Sequence, residues 1–155
     1  MPVIPALAEA ASTAGYWTVI FATTLLAALT IGLHYEVLQR LNQSMPRWKL
    51  ARHPRVLVLM FCILAVHIAE IWLFGVGIYF IVQFPELGRV VGAEPLRLLD
   101  AVYASATTYS TLGYGDLVPQ GAVRVLFGTE ALVGLLMITW SASFAYLEMA
   151  RYWRT

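Results

Sequence analysis

The sequence predicts an all-α membrane protein, and three observations lead to this fold class. Of the 155 residues, 60% are apolar and only 12% are charged, against about 45–50% and about 25% in soluble domains. A soluble domain of this size leaves much of its surface in water and could not cover so many apolar side chains. The apolar residues are also gathered into three long stretches, which suits helices that cross a bilayer.

The three stretches predict spanning helices at 16–33, 56–84 and 123–147, because each is long enough to cross about 30 Å of hydrocarbon at about 1.5 Å per helical residue. The first opens with Tyr16 and Trp17, aromatic side chains suited to the membrane interface. A cleaved signal peptide is the alternative for this stretch. The first 39 residues contain no lysine or arginine, so the positively charged region that precedes the apolar part of a signal peptide is absent. We interpret the chain, 1–155, as a single membrane domain.

Positive charge is concentrated on one side of these helices. Most of the cations lie in a basic loop predicted at 34–55 or after the third helix: Arg40, Arg47, Lys49, Arg52, Arg55, Arg151 and Arg154. The positive-inside rule makes this side cytoplasmic. We therefore expect a multi-pass protein of the inner (plasma) membrane with its N-terminus outside and its C-terminus in the cytoplasm.

The charge balance and the single cysteine exclude several function classes. A net charge of +1 gives no basic excess for nucleic acid, so the expected surroundings are membrane lipids. Cys62 is the only cysteine, which leaves no intrachain disulfide and no cysteine zinc cluster. Neither of the first two helices carries repeated arginines, so gating charges of a voltage sensor are not predicted.

A shorter apolar helix is predicted at 95–110, between the second and third spanning helices. Pro95 suits a first helical position, and leucine and alanine follow it. The segment is too short to span a bilayer. Its apolar character indicates a helix that enters the protein from the outer side and turns back.

The segment that follows this helix carries the most specific pattern in the chain. Residues 108–115 read Thr-Tyr-Ser-Thr-Leu-Gly-Tyr-Gly, and Asp116 follows. This segment resembles the Thr-x-x-Thr-x-Gly-Tyr-Gly motif of pore-loop potassium channels. The resemblance extends over about 56–147, and the compact form is typical of prokaryotic members.

The resemblance implies a selectivity filter at 111–116 and a homotetramer around one pore. Carbonyl oxygens would replace the water of a potassium ion, which is the permeant ligand; no cofactor and no small-molecule substrate are expected. The implied ion-binding residues are Thr111, Leu112, Gly113, Tyr114 and Gly115. Glycine suits such a strand because it adopts positive φ cheaply. Tyr114 is expected to pack behind the strand, and Asp116 to concentrate cations at the outer mouth.

The residues around the filter depart from the family in two ways. Only Tyr103 stands where many members carry paired aromatic residues, and Thr107 replaces an acid that in some members hydrogen-bonds the outer aspartate. We therefore expect Thr107 and Thr108 to support the filter, with Asp116 more mobile. Gly134 is either a hinge of the pore-lining helix or a site of close helix packing.

Three histidine or glutamate residues lie inside the predicted spanning helices: His67, Glu70 and Glu130. A charge near the bilayer centre costs about 2.5–3.5 kcal/mol and needs a partner. One hypothesis is a polar network behind the filter, in which the carboxylates accept hydrogen bonds from Thr107 or Thr108 and His67 responds to pH. The alternative is two protonated, satisfied carboxyls. A metal site in an intramembrane enzyme would need more ligands, since His34 is expected near the cytoplasmic surface.

These observations predict a potassium-selective channel rather than an enzyme. Two alternatives remain open at this stage. A weakly selective cation channel would share the same segment, because selectivity depends on how firmly the carbonyl rings keep their spacing. A regulatory membrane subunit that does not conduct is the other.

Overall fold

The computed structural model describes residues 14–48 and 52–153. Within these residues the chain forms four α-helices: α1 (Ala14–Ser44), α2 (Arg52–Ile81), α3 (Leu98–Tyr109) and α4 (Arg124–Trp153). Two single 3-10 turns, Met45–Arg47 and Pro85–Leu87, and two short strands, β1 (Arg89–Val91) and β2 (Val118–Gln120), complete the described elements. Helices α1, α2 and α4 are long and apolar enough to cross a membrane, which confirms the predicted all-α membrane fold with three spanning helices.

The first helix is longer than its apolar stretch. It continues to Ser44, so most of the loop predicted at 34–55 is helical instead. The reason is a second apolar pattern: Leu38, Leu41 and Met45 recur at helical spacing and are buried in a core cluster with residues of α2 and α4. Polar side chains of this segment face outward. Of the basic residues in the predicted loop, Arg40, Arg47, Arg52 and Arg55 therefore lie in helical elements rather than in an open loop. Lys49 lies outside the described residues.

The remaining helix boundaries shift by a few residues from the prediction. Helix α2 ends at Ile81 and α4 continues to Trp153. Helix α3 begins at Leu98 rather than at Pro95, because the backbone N–H of Arg97 donates to the Asp100 carboxylate at 3.0 Å and caps the first turn there.

The short helix α3 packs against two of the three spanning helices, α2 and α4, and α1 packs against the same two. The opposite face of α1 exposes Trp17, Phe21 and Leu25, which suits contact with lipid. The core around α3 contains Phe74, Ala101 and other buried apolar residues.

A two-stranded sheet joins the segments on either side of α3 and the filter segment. Strands β1 and β2 pair antiparallel, with Arg89 opposite Gln120 and Val91 opposite Val118. The Arg89 guanidinium donates to the Gln120 side-chain oxygen at 3.0 and 3.1 Å. Strands of three residues carry too little pattern to be predicted from the sequence, and the sheet is an addition to the predicted fold.

Candidate functional site

The filter segment leaves the C-terminal end of α3 and is fastened to it by backbone hydrogen bonds. The N–H of Thr111 donates to the Thr108 carbonyl at 2.9 Å, and the N–H of Gly113 donates to the Thr107 carbonyl at 3.0 Å. Thr107 and Thr108 thus contact the segment through their carbonyls. The Thr107 hydroxyl donates to the Ala104 carbonyl within its own helix, at 3.0 Å.

The backbone of this segment alternates in the sign of φ. Thr111, Gly113 and Gly115 have φ of +60°, +51° and +82°. Leu112 and Tyr114, which lie between them, do not have positive φ. A threonine in this region is uncommon, since side chains other than glycine crowd the backbone there. A run that alternates in this way turns successive peptide planes, so that the carbonyls of adjacent residues no longer point to opposite sides as they do in a β-strand.

The two glycines are required by conformation and not by space. A Cβ placed on Gly113 or Gly115 would meet nothing within 4 Å. Their positive φ is what makes any other residue strained there. The sequence analysis named both positions for this reason.

Asp116 has a hydrogen-bond partner that the sequence did not predict, while its mobility stays a prediction. The Tyr103 phenol on α3 donates a hydrogen bond to its Oδ2 at 2.8 Å. This bond to Asp116 raises the pKa of Tyr103 above its ordinary value, because a phenolate would face the carboxylate. Tyr103 of α3 thus supplies a hydrogen-bond donor to Asp116, whereas the Thr107 hydroxyl bonds within its own helix.

Tyr114 does not pack behind the strand of its own chain. Its side chain is 68% exposed and that of Leu112 is 62% exposed. The expected packing therefore finds no wall within one chain. Both side chains are left uncovered by the part of the chain that the structure describes.

Glu70 is buried on α2 and bonds side chains of α1, α2 and α3. Its Oε1 accepts a hydrogen bond from His34 Nδ1 of α1 at 2.8 Å. Its Oε2 accepts from His67 Nδ1 at 3.0 Å and from the Tyr109 hydroxyl at 2.5 Å. Tyr109 is the last residue of α3 and stands two residues before Thr111. Glu70 and His67 therefore belong to one buried polar network, as predicted. His34 and Tyr109 take the place of the predicted threonines.

His34 lies in the core and not near the cytoplasmic surface, where the sequence analysis expected it. It is fully buried, and its Nε2 lies 3.2 Å from the Ser141 hydroxyl of α4. The ring of Trp140 packs against it, with centroids 5.3 Å apart. The helical continuation of α1 explains the error: His34 lies one turn after buried Thr30 and one turn before Leu38, a spacing that could have placed it on the inner face.

Glu130 belongs to a second, separate network. It is fully buried on α4, and its Oε1 bonds the hydroxyl of Ser105 on α3. The same hydroxyl lies 2.8 Å from the Ile71 carbonyl. Ser105 has one hydrogen, so it donates either to Glu130 Oε1 or to the Ile71 carbonyl. In the second case its oxygen accepts from a protonated Glu130. Neither Thr107 nor Thr108 joins Glu130 or Glu70, which corrects the predicted common network.

Gly134 lies where α4 passes the end of α3. A Cβ on this residue would collide with the backbone carbonyl of Tyr109. A Cβ on Gly128, one and a half turns earlier, would meet nothing within 4 Å. The contact favours close helix packing at Gly134, one of the two interpretations that the sequence left open.

One group of side chains has the donor types of a metal site. His34, His67 and Glu70 each offer a ligand atom, and these atoms lie within 4.8 Å of one another. Tyr109 adds a phenol oxygen 3.0 Å from His67 Nδ1. The sequence analysis considered His67 and Glu70 with Glu130 for such a role; the structure replaces Glu130 with His34.

Comparison with known proteins places this arrangement in a family. The family model described as "Ion channel" matches residues 55–147, more than half of the chain. The inward rectifier potassium channel Kirbac3.1 of Paramagnetospirillum magnetotacticum is 35% identical over 74 residues, which are 46% of this chain and 25% of that protein. The chain thus spans about a quarter of this relative's length. No solved structure matches the chain. The chain belongs to the ion channel family, and the resemblance to pore-loop potassium channels is confirmed.

Proposed function

We propose that four copies of this chain form a potassium-selective channel, in which the strands at 111–115 surround one pore and conduct dehydrated potassium passively. The observation that carries the proposal is the alternating sign of φ from Thr111 to Gly115. Carbonyls of a β-strand point alternately to opposite sides. A chain that alternates between left-handed and right-handed conformations can direct successive carbonyls to one side, as rings that replace the hydration shell of potassium require.

The exposed side chains of the same strand support assembly into a ring. One strand cannot encircle an ion, so the oxygens of several copies are needed. Leu112 and Tyr114 project from the strand with more than half of their surface uncovered. A neighbouring copy would bury them and supply the wall behind the strand that a single chain lacks. In such an assembly Tyr114 would pack behind a filter strand, as the sequence predicts.

The charges around the strand favour a cation. The C-terminal end of α3 lies at Tyr109, directly before the strand, and the last carbonyls of a helix carry partial negative charge. Asp116, held by Tyr103, places a carboxylate after the strand. Four such carboxylates would raise the local concentration of cations at the outer mouth.

The orientation of the chain in the membrane follows from the positions of its arginines. Arg40, Arg55 and Arg151 lie towards one end of the helix bundle, at the end of α1, the start of α2 and the end of α4. The filter strand belongs to the opposite end. Under the positive-inside rule, the filter opens to the outside of the inner (plasma) membrane, with the N-terminus outside and the C-terminus in the cytoplasm.

Ion flux into liposomes tests this proposal. The purified chain is expected to run as a species of four chains and to take up rubidium, a close analogue of potassium. Gly113→Ala should abolish uptake, because a Cβ disfavours φ of +51°. Gly32→Ala is the matched control, since a Cβ there meets nothing within 4 Å and alanine suits a helix. Uptake that survives Gly113→Ala would contradict the proposal.

Two further measurements distinguish the alternatives. Reversal potentials in mixed sodium and potassium separate a selective channel from a weakly selective one: a shift towards the potassium equilibrium potential supports selectivity. Folded tetramers that take up no rubidium would instead favour a regulatory subunit that does not conduct.

A further inference from the structure

We propose that His34, His67 and Glu70 form a binding site for a zinc-class transition-metal ion, buried between α1 and α2 behind the filter strand. The three side chains come from two different spanning helices and meet at the end of α3. The proposal does not depend on a tetrameric pore, since all three residues belong to one chain.

The donor set matches this class of ion. Imidazole nitrogens prefer zinc, copper, nickel and iron, whereas calcium and magnesium prefer oxygen. Two imidazoles and one carboxylate are an established ligand combination for zinc. The Tyr109 hydroxyl, 2.5 Å from Glu70 Oε2 and 3.0 Å from His67 Nδ1, leaves an oxygen beside the fourth position of a tetrahedral site.

The distances already approach those of a bound ion. With ligand bonds of about 2.0–2.1 Å, two ligands of one zinc ion lie at most about 4 Å apart. The ligand atoms of His34, His67 and Glu70 lie within 4.8 Å of one another. His34 Nδ1 is 2.8 Å and His67 Nδ1 is 3.0 Å from the Glu70 carboxylate. Binding of one ion therefore requires the three ligand atoms to come closer together than 4.8 Å.

The surroundings hold His34 in the orientation that a ligand needs. A metal-bound histidine usually donates its other ring N–H to an oxygen outside the site. When Nδ1 of His34 binds the ion, Nε2–H faces the Ser141 hydroxyl at 3.2 Å and can donate to it. The ring also packs against Trp140 and, at 5.4 Å between centroids, against His67.

The negative charge of Glu70 favours binding of a cation in this cluster. The ion-pair partners of Glu70 among the described residues are both histidines. An ionised Glu70 with neutral imidazoles leaves one negative charge at membrane depth, where an uncompensated charge is unfavourable. A divalent ion bound by the same atoms offsets this charge. The side chain of His67 is 15% exposed, so the described residues do not enclose the cluster completely.

Direct metal binding tests the site. The purified full chain in detergent micelles is first treated with a chelator, and Zn²⁺ binding is then measured by equilibrium dialysis against a competing chelator. We expect about one tight ion per chain, as a single structural site provides. Co²⁺ should give the visible absorption of a tetrahedral complex with nitrogen ligands. Binding that excess Mg²⁺ displaces as readily as Zn²⁺ would overturn the proposal, because it would indicate an oxygen site.

Three variants and one control localise the ion. His34→Gln, His67→Gln and Glu70→Gln should each weaken Zn²⁺ binding by at least about tenfold, since loss of even an outer partner costs about 10–100-fold. Glu130→Gln is the matched control: it is an equally buried glutamate of a spanning helix outside the cluster, and it should leave binding unchanged.

Size-exclusion chromatography shows which variants remain folded. The Co²⁺ spectrum of the parent protein keeps the proposal testable if a variant fails to fold. Equal Zn²⁺ affinity in the parent and in any folded ligand variant would overturn it. Rubidium uptake is measured separately, so loss of the metal site and loss of the proposed channel function are distinguishable.

Discussion

The hydroxyl of Tyr109 donates to Oε2 of Glu70 at 2.5 Å, and this bond fixes the end of α3 to α2 two residues before the filter strand begins. His34 bonds the other carboxylate oxygen, so α1 is tied to the same point. The position of the filter strand therefore depends on a helix that lies outside the segment matched by the family model, 55–147.

Removing the Tyr109 hydroxyl should destabilise the fold. In Tyr109→Phe the buried Glu70 keeps its two histidine partners but loses a third donor, and an unmet hydrogen bond of a buried group costs about 1–3 kcal/mol. Tyr146→Phe is the control, because Tyr146 is 69% exposed on α4. Unfolding in detergent, followed by circular dichroism, measures both. Equal stability of the two variants would contradict the role assigned to the Tyr109 hydroxyl.

Adding one methyl group to Gly134 should separate the packing interpretation from the hinge. The new Cβ in Gly134→Ala meets the carbonyl of Tyr109, and such overpacking costs about 1–3 kcal/mol. Gly128→Ala, with open space around its Cβ, should be neutral or stabilise by up to about 1 kcal/mol. Both are measured by thermal unfolding. A hinge predicts instead that Gly134→Ala keeps its stability and changes only the open probability of the channel.

The sequence predicted the elements whose pattern is long or specific. Three apolar stretches gave the spanning helices, and the Thr-x-x-Thr-x-Gly-Tyr-Gly segment led to the positions where the structure has positive φ at Gly113 and Gly115. These predictions depend on composition and on local conformational preference, which a single sequence contains.

The contacts between helices could not be predicted in the same way. His34 was expected at the surface because the apolar stretch ends before it, and its burial depends on how α1 lies against α4. Glu70 and Glu130 lie on different helices that both pack on α3. The rotation of each helix about its own axis decides which carboxylate contacts Ser105 and which contacts Tyr109. The spacing of apolar residues along a helix does not fix this rotation to within one residue.

The bond between Ser105 and Glu130 should stabilise the contact between α3 and α4. Ser105→Ala leaves the buried Glu130 without its described partner, which costs about 1–3 kcal/mol. Glu130→Gln should cost less than about 1 kcal/mol, because its amide can donate to Ser105 as a protonated carboxyl does. Ser143→Ala is the control, since this serine is exposed and bonds only within α4. A large loss of stability in Glu130→Gln would indicate an ionised Glu130 instead.

The bond between Tyr103 and Asp116 should give the outer end of the filter an alkaline limit. The folded-state pKa of Tyr103 is raised above its ordinary value of about 10, so the folded protein holds this proton more tightly than the unfolded chain. The stabilisation is therefore complete below about pH 10 and is lost as the pH rises through the folded-state pKa. Tyr103→Phe should melt at a lower temperature than the parent at about pH 8, and the difference should shrink at more alkaline pH, where the parent also loses the bond. Tyr146→Phe is the control, since Tyr146 is exposed on α4, and the difference in its melting temperature from the parent should not change with pH in this way.

The same bond should also matter for ion flux. In liposomes at about pH 8 we expect Tyr103→Phe to lose rubidium uptake faster over time than the parent, because its Asp116 is no longer held. Identical time courses would show that the bond does not support the filter.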